Sequence, residues 1–467
     1  MSWSIRQLIE ATGGQLIRGP VGGQATGITI DSRRLTPGEA FVAIQGTRFD
    51  GHVFLEDAAH RGASCLIVSH APQPTNGSAS LPTILVDDTT EALGNLARFH
   101  RRRCAIPVIA ITGSCGKTTT KELIAHLVGE LGTVLKTAGT QNNQIGVPLT
   151  LLRMTPEHRM AVVELGSNHP GEIAYLASIV EPDTAVITNV GPVHLEFLGS
   201  LMGVLREKLS LLDAVSLDGC VVLPGDQLDI CLQAPHHLDP RVRMVTFGST
   251  DRCDIQALDI QRADQGMLMR LRDHFDQWLI PLVGYHNVEN ALAALACAWA
   301  VGIPFSVAKE RLTSFKAVPL RSQVVCCDGL TIPNDCYNAN PLAFARALET
   351  LRDLDVRRRV AIVGDMLELG SYAASAHEAI GRLATQLGID VVIAVGEYAG
   401  HVAQGVREQR PNGVTTYRTV QELLHALPGM LQSGDGLLVK GSRKLNLEQV
   451  TEFLLERYNG PHRAFAR

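Results

Sequence analysis

An apolar, β-branched run, Pro107-Val108-Ile109-Ala110-Ile111, leads directly into Thr112-Gly113-Ser114-Cys115-Gly116-Lys117-Thr118-Thr119-Thr120, followed by a helix-like pattern over residues 121–130. A buried strand, a glycine turn, Gly-Lys-Thr and a helix make up the layout of a phosphate-binding loop. Glycines let backbone N–H groups close on phosphate oxygens, and the helix N-terminus adds partial positive charge. Lys117 would neutralise the β- and γ-phosphates, and Thr118 would offer a hydroxyl to Mg²⁺. The loop reads GxxGKT, two residues shorter than the common GxxxxGK[ST] form, so a standard GTPase or ATPase switch is not predicted.

The chain has 467 residues, room for two to four domains at about 100–200 residues each. With 45% hydrophobic and 19% charged residues it has ample core material. Its net charge is −5 and no basic run is longer than Arg101-Arg102-Arg103, so no nucleic-acid partner is expected. That triplet closes a helix pattern over 89–103, where cations suit the C-terminal dipole. No apolar stretch reaches membrane-spanning length, and Met1-Ser2-Trp3-Ser4-Ile5-Arg6 lacks the apolar core of a signal peptide. A cytoplasmic protein without membrane insertion is the expectation. The ten cysteines form no CxxC pair, and Cys65, Cys220, Cys297 and Cys326 lie in apolar runs. Buried, reduced thiols explain them better than disulfides or zinc.

Strand patterns group the chain into three segments, 1–87, 88–317 and 318–467. The first carries short strands over 41–44, 65–68 and 83–86, and a loop over 69–78 that is expected to be flexible. The second alternates helices with strands over 107–111, 160–164, 184–188 and 219–223, implying a parallel sheet covered on both faces. The third repeats that style over 359–363, 390–395 and 436–440. Gly364-Asp365 follows one of its strands, but no GxGxxG accompanies it.

Parallel sheets place function at the C-terminal ends of their strands. The strand 160–164 ends in Glu164, followed by Leu165-Gly166, where a phosphate-loop enzyme needs a hard oxygen ligand for Mg²⁺. A solvated strand-end carboxylate is the alternative. The strand 184–188 runs into Asn189-Val190-Gly191-Pro192-Val193-His194, which puts His194 in reach of a metal or a phosphate oxygen. A lone histidine there is more often structural; only the company of Glu164 and Lys117 favours the functional reading. Lys208 interrupts an apolar helix pattern over 201–212, where snorkelling is the simple account.

Taken together, the phosphate loop, Glu164-Leu165-Gly166, Asn189 through His194, and Gly284-Tyr285-His286-Asn287-Val288-Glu289-Asn290 resemble the Mur ligase family, ATP-dependent amide-bond-forming enzymes of peptidoglycan precursor synthesis. Tyr337-Asn338-Ala339-Asn340-Pro341, Gly364-Asp365-Met366-Leu367-Glu368-Leu369-Gly370 and Leu438-Val439-Lys440-Gly441-Ser442-Arg443 are similar to the branch that adds D-alanyl-D-alanine. Asp31-Ser32-Arg33, Phe41-Val42-Ala43-Ile44 and Gly46 through Asp50-Gly51-His52 resemble the family's uridine-nucleotide-binding lobe. The likeness spans nearly the whole chain in order. Cys115, Thr140 and the stretch Pro333-Asn334-Asp335-Cys336 depart from the usual pattern, although Asp335 keeps a carboxylate. The Asp-Asn-Pro-Arg acceptor signature of the diaminopimelate-adding branch is absent, as is the guanine-specific Asn-Lys-x-Asp.

The resemblance implies an α/β fold of three domains: a UDP-substrate-binding domain (1–87), a central ATP-binding domain with a P-loop ATPase-like parallel sheet (88–317), and a Rossmann-like C-terminal ligase lobe that binds the acceptor (318–467). It implies ATP and Mg²⁺ as cofactors, and UDP-N-acetylmuramoyl-tripeptide and D-alanyl-D-alanine as small-molecule partners of a monomer. Gly113, Ser114, Cys115, Gly116, Lys117, Thr118 and Thr119 would hold the ATP phosphates. Thr118, Glu164 and His194 would hold Mg²⁺. His286, Asn287 and Asn290 would serve adenine, the last two from one helix face at i, i+3 spacing. Arg321 and Asp335 would reach phosphate and ribose when the third domain closes. Ser32, Arg33, Gly46, Asp50, His52, Asn142, Asn143, Asn340 and Asp365 would contact substrates. Several Mur ligases carbamylate a lysine at the position of Lys208, which would turn a cation into an anion that supports metal. Only the neutral amine reacts, a form favoured by burial and a nearby metal.

Overall fold

A computed structural model describes residues 2–46, 49–73, 80–317, 323–327 and 329–458. Packing divides the chain into two compact units, residues 1–110, 131–166 and 172–183 in the first and 111–130, 167–171 and 184–467 in the second.

The first unit is built on a five-stranded sheet in the order Gln15–Arg18, Thr83–Leu85, Cys65–Val68, Ala40–Val42, Ile28–Thr29, parallel except where Gln15–Arg18 joins its edge. Cys65–Val68 is buried along its whole length, as expected of a central strand covered on both faces. Asp88 caps the helix Thr89–Cys104 by accepting from the N–H groups of Thr90 and Glu91, at 2.6 and 3.0 Å. The arginine triplet closes that helix, and Glu181 pairs with Arg98 and Arg102. Met160–Glu164 pairs in parallel with Val134–Lys136, and the Ala161 N–H reaches the Pro107 carbonyl at the start of the strand Val108–Thr112.

The second unit contains two sheets. In one, Thr184–Ile187, Cys220–Pro224, Arg243–Gly248 and Ile255–Ala263 run parallel. Gly266–Leu271 and Gln277–Ile280 then continue it antiparallel. The helix Tyr285–Ala300 is rich in buried alanine, and these small side chains bring it close against the helix Lys117–Val128. The other sheet has the order Gln323–Cys327, Leu330–Asn334, Asp435–Lys440, Arg358–Gly364, Val391–Val395, Val414–Tyr417, with only its first pair antiparallel. Buried helices on either side give it the doubly wound character of a Rossmann-like lobe.

Every strand expected from apolar runs is present, within a residue or two of its predicted bounds. The antiparallel extension was not foreseen. All ten cysteines are free thiols, and Cys65, Cys220 and Cys297 are buried, but Cys326 is exposed. Alternation along an edge strand explains that correction: Cys327 takes the inward position and turns its neighbour out. The loop expected over 69–78 lies partly outside the described residues.

Phe344, on the helix Pro341–Arg352, is fully buried among Leu348, Leu351, Val363 and Leu438, with Lys440 Nζ 5.9 Å from its ring centroid. Phe344→Ala should destabilise this lobe by about 3–5 kcal/mol, read as an earlier urea transition. An unmoved transition would show that the cluster does not hold the lobe together.

Candidate active site

The strand Val108–Thr112 delivers the glycine loop, and the helix Lys117–Val128 leaves it. Gly113 and Gly116 take φ of +145° and +80°. A Cβ would lie 2.0 Å from Thr188 Oγ1 at Gly113 and 2.1 Å from Asn290 Oδ1 at Gly116, so neither position admits a side chain. The loop is laced to the segment beyond Thr184–Ile187. Thr188 Oγ1 donates to the Cys115 carbonyl at 2.5 Å, and Asn189 Nδ2 donates to the same oxygen at 3.2 Å. Asn189 Oδ1 accepts from the Cys115 N–H at 2.9 Å, and the Asn189 carbonyl accepts from the Ser114 N–H at 3.0 Å. Ser114 Oγ donates to the Gly191 carbonyl and accepts from the Gly191 N–H, at 3.1 and 2.9 Å. With its walls fixed this way, the helix presents its first N–H groups without any side-chain cap, as an anion site requires. Lys117 Nζ donates to the Gly113 carbonyl at 2.7 Å, which holds the ammonium at the mouth of the loop. Thr118 and Thr119 are buried in the first helical turn.

Beneath the loop, Asn287 and Asn290 do share a helix face, and both are buried. Their amides form a ladder: Asn287 Nδ2 to the Val283 carbonyl (2.7 Å), Asn290 Nδ2 to Asn287 Oδ1 (3.0 Å), and Thr120 Oγ1 to Asn290 Oδ1 (3.3 Å). That ladder supports the loop from below. His286, one residue along, is partly buried. Desolvation lowers its pKa to about 4; Asp335 opposes this, while Arg346 and Lys440 reinforce it.

Residues from the third sequence segment meet this region within the second unit. Cys115 Sγ donates to Asn340 Oδ1 at 3.3 Å, and that same oxygen caps the helix Pro341–Arg352 by accepting from the Ala343 N–H at 2.8 Å. Asp335 is held by the buried Lys440, whose Nζ reaches Asp335 Oδ2 at 2.5 Å, the Asp335 carbonyl at 3.2 Å and the Asn338 carbonyl at 3.0 Å. Arg346 pairs with Glu289 at 2.7 Å; burial raises the Glu289 pKa, and the guanidinium opposes that rise. Asp365 accepts from the Glu397 and Tyr398 N–H groups, both at 2.9 Å, so its two oxygens are occupied in fixing a turn. His194 adopts φ +52° ahead of the short helix Leu195–Leu198, and its Nδ1 is hydrogen-bonded to Glu368. That bond holds the Glu368 carboxyl below the usual carboxylate range. Lys208 is buried, with Nζ 2.7 Å from Ser167 Oγ. Arg321 lies outside the described residues.

The first unit holds the remaining candidates. Glu164 Oε1 accepts from Asn142 Nδ2 at 2.8 Å, and the Glu164 N–H donates to Thr137 Oγ1 at 2.9 Å, so two residues singled out separately are neighbours. Asn143 Oδ1 accepts from the N–H groups of Ile145 and Gly146, opening the helix Gly146–Leu152. Asp50 Oδ1 accepts from His52 Nδ1 at 2.7 Å, and His52 Nε2 accepts from the Ser69 N–H at 3.0 Å. His70 stacks on His52 at 4.0 Å between centroids. Ser32 is buried, Arg33 is paired with Asp31, and the Gly46 N–H donates to the Phe49 carbonyl.

Residues 24–101 match the Mur ligase family catalytic domain, 111–298 the Mur ligase middle domain, and 320–443 the Mur ligase glutamate ligase domain. The UDP-N-acetylmuramoyl-tripeptide–D-alanyl-D-alanine ligase of Escherichia coli is 36% identical over 98% of this chain and 99% of its own. The chain belongs to the Mur ligase family. A crystal structure of MurF from Acinetobacter baumannii superposes with a TM-score of 0.89 at 31% identity, covering 98% of this chain and 99% of its own. MurF from Thermotoga maritima, solved in complex with ADP, gives a TM-score of 0.83 at 27% identity over 93% and 98% of the two chains. The family's three-domain α/β architecture is therefore that of this chain.

Reading the sequence alone missed four residues of this site. Thr188 and Asn189 clamp the loop, Lys440 holds Asp335, and Glu368 holds His194. All but Thr188 stand inside the family stretches quoted above, but the spacing between them carries no sign that they meet.

His286 yields a test by pH. The unfolded imidazole takes a proton near 6.5 and the folded one only near 4, so the native state should lose stability as pH falls through that window and keep the full contribution above it. In His286→Gln the urea midpoint should vary less between pH 6.5 and 4 than in the wild type. Equal slopes would refute a neutral, desolvated imidazole.

Proposed function

We propose that this chain is an ATP-dependent ligase that joins D-alanyl-D-alanine to UDP-N-acetylmuramoyl-tripeptide, completing the UDP-linked pentapeptide used in peptidoglycan synthesis. Kinship with the Escherichia coli ligase over nearly the full length of both chains carries this reading. The phosphate loop agrees with it, since glycines that exclude side chains and an uncapped helix start suit a nucleoside triphosphate.

The terminal tripeptide carboxylate attacks the γ-phosphorus of ATP, the bond to the β-phosphate oxygen breaks, and ADP leaves an acyl phosphate. The amine of D-alanyl-D-alanine then attacks the carbonyl carbon, inorganic phosphate departs with the bonding pair, and the amine loses a proton to give the amide. Both steps crowd anions together, so positioned positive charge carries most of the catalysis. Lys117 and the loop N–H groups bind and orient the phosphates. Thr118, Glu164 and His194 are the groups that would hold Mg²⁺, whose charge offsets that of the phosphates when it is bound. Asp335, Asn340 and Arg321 come from the third domain, and its closure would keep water from the acyl phosphate. Ser32, Arg33, Gly46, Asp50, His52, Asn142 and Asn143 would engage the UDP-tripeptide.

Phosphate release should be measured with D-alanyl-D-alanine, L-lysine, diaminopimelate and glutamate offered separately alongside UDP-tripeptide and ATP. Turnover with the dipeptide alone is expected; a preference for a single amino acid would place the chain in another branch. Lys117→Ala should reduce turnover by on the order of 10²–10³-fold or more, while calorimetry still detects UDP-tripeptide binding. Wild-type turnover in that variant would sink the phosphate-loop assignment.

Lys208 is the candidate for a carbamate that supports metal, and its burial beside Ser167 excludes simple snorkelling. Lys208→Ala should be impaired, with activity partly restored by formate or acetate standing in for the missing anion. An active variant indifferent to carboxylic acids would rule out an essential carbamate.

A further inference from the structure

His194 and Glu368 stand 174 residues apart in sequence and are joined through Nδ1 and Oε2. Both hold positive φ, +52° and +61°, where side chains other than glycine seldom sit. Two further contacts accompany the bond. The Glu196 N–H donates to the Glu368 carbonyl at 3.2 Å, and Gly370, at φ +53°, comes so near Glu196 that an added Cβ would meet its Cα at 3.2 Å.

The turn that carries Glu368 is anchored on its own lobe. Asp365 is tied to the Glu397 and Tyr398 N–H groups, and its carbonyl accepts from the Ser442 N–H at 2.8 Å. The Met366 N–H donates to His377 Nε2 at 2.8 Å, and the Met366 and Leu369 side chains are buried in the lobe's core. Glu368 is thus presented from a fixed support, and its ring partner has to come to it.

An ionised carboxylate can only accept. Facing Nδ1, it places a hydrogen on that nitrogen and turns Nε2 away with its lone pair, the form in which imidazole binds a metal or accepts from a water. We propose that Glu368 is a positioning residue for the ligase reaction: it fixes the ring and tautomer of His194, so that docking of the Asp365–Gly370 turn and readiness of His194 are one event. The proposal rests on the reading of His194 as a group that serves Mg²⁺ or a phosphate oxygen. It would also account for strain at two facing positions, since each unfavourable φ brings one partner to the other.

The test uses the full chain with ¹⁵N-labelled histidine, His194 being assigned by the signal lost in His194→Ala. In the wild type His194 should be the Nδ1–H tautomer, and in Glu368→Ala it should shift toward the Nε2–H form that imidazole prefers in water. Glu368→Gln, which keeps the shape without the obligate acceptor, guards against an effect of folding, and its thermal midpoint should match the wild type. In both variants kcat should fall about 10–100-fold with the KM for UDP-tripeptide unchanged, and Mn²⁺ binding in the presence of ADP should weaken by a similar factor. In a His194→Ala background, Glu368→Ala should add nothing. If His194→Ala itself turns over normally, the reading of His194 fails. If His194→Ala is inactive while Glu368→Ala keeps the wild-type tautomer and kinetics, that reading stands and the role given to Glu368 is wrong.

Discussion

The site depends on the lacing between the glycine loop and the segment Thr188-Asn189-Val190-Gly191. A loop that must turn several N–H groups toward an anion cannot also satisfy them internally, so its shape has to be imposed from outside. Asn189 suits this because its amide has both a donor and an acceptor, and it uses them on the carbonyl and the N–H of the same residue, Cys115. Ser114 Oγ closes a second reciprocal pair with Gly191. With these contacts made, Cys115 contributes to the loop through its backbone. Its side chain is left to reach Asn340.

The same unit holds four long-range polar pairs: Cys115 with Asn340, His194 with Glu368, Asp335 with Lys440, and Glu289 with Arg346. Each joins residues separated by 57 or more positions, so each had to overcome a substantial loop-closure cost when it formed. Lys440 is an exception to surface behaviour, because it is buried and has three oxygen acceptors within reach, which keeps desolvation of its ammonium from being uncompensated. The acyl phosphate of the proposed reaction would call for a site polar enough to bind anions and dry enough to protect the intermediate.

Much of this was legible in the sequence, for a physical reason. Parallel strands buried on both faces must be continuous apolar runs, and Val108–Thr112, Met160–Glu164 and Thr184–Ile187 stand out as such. Ile255–Ala263 does not, because half of it faces outward and polar residues interrupt it, and its turn at Asp264-Gln265-Gly266 reads as an ordinary loop. The positions of Glu164, His194 and Lys117 at strand ends and at the loop followed from topology. What they bond to did not: periodicity reports which face a side chain occupies, whereas pairing across 174 residues depends on how separate elements pack. Asn287 and Asn290 illustrate the limit. Their i, i+3 spacing located the shared face, but not the ladder of amides that this face forms beneath the loop.

The chemistry of that inward pair follows from what lies above it. Asn290 Oδ1 sits where a Cβ on Gly116 would be and accepts from Thr120 Oγ1, so it occupies the floor of an anion site. A carboxylate there would satisfy the same donor and have nearly the same size, but its charge would repel the phosphates and compete for the loop N–H groups. An apolar side chain would remove the acceptor and leave buried donors unmatched, at about 1–3 kcal/mol each. An amide alone supplies an acceptor below, a donor toward Asn287 and no net charge. The buried ladder and the open helix start are therefore one requirement seen from two sides: the support must be polar enough to fix the loop and neutral enough to leave its field to the nucleotide.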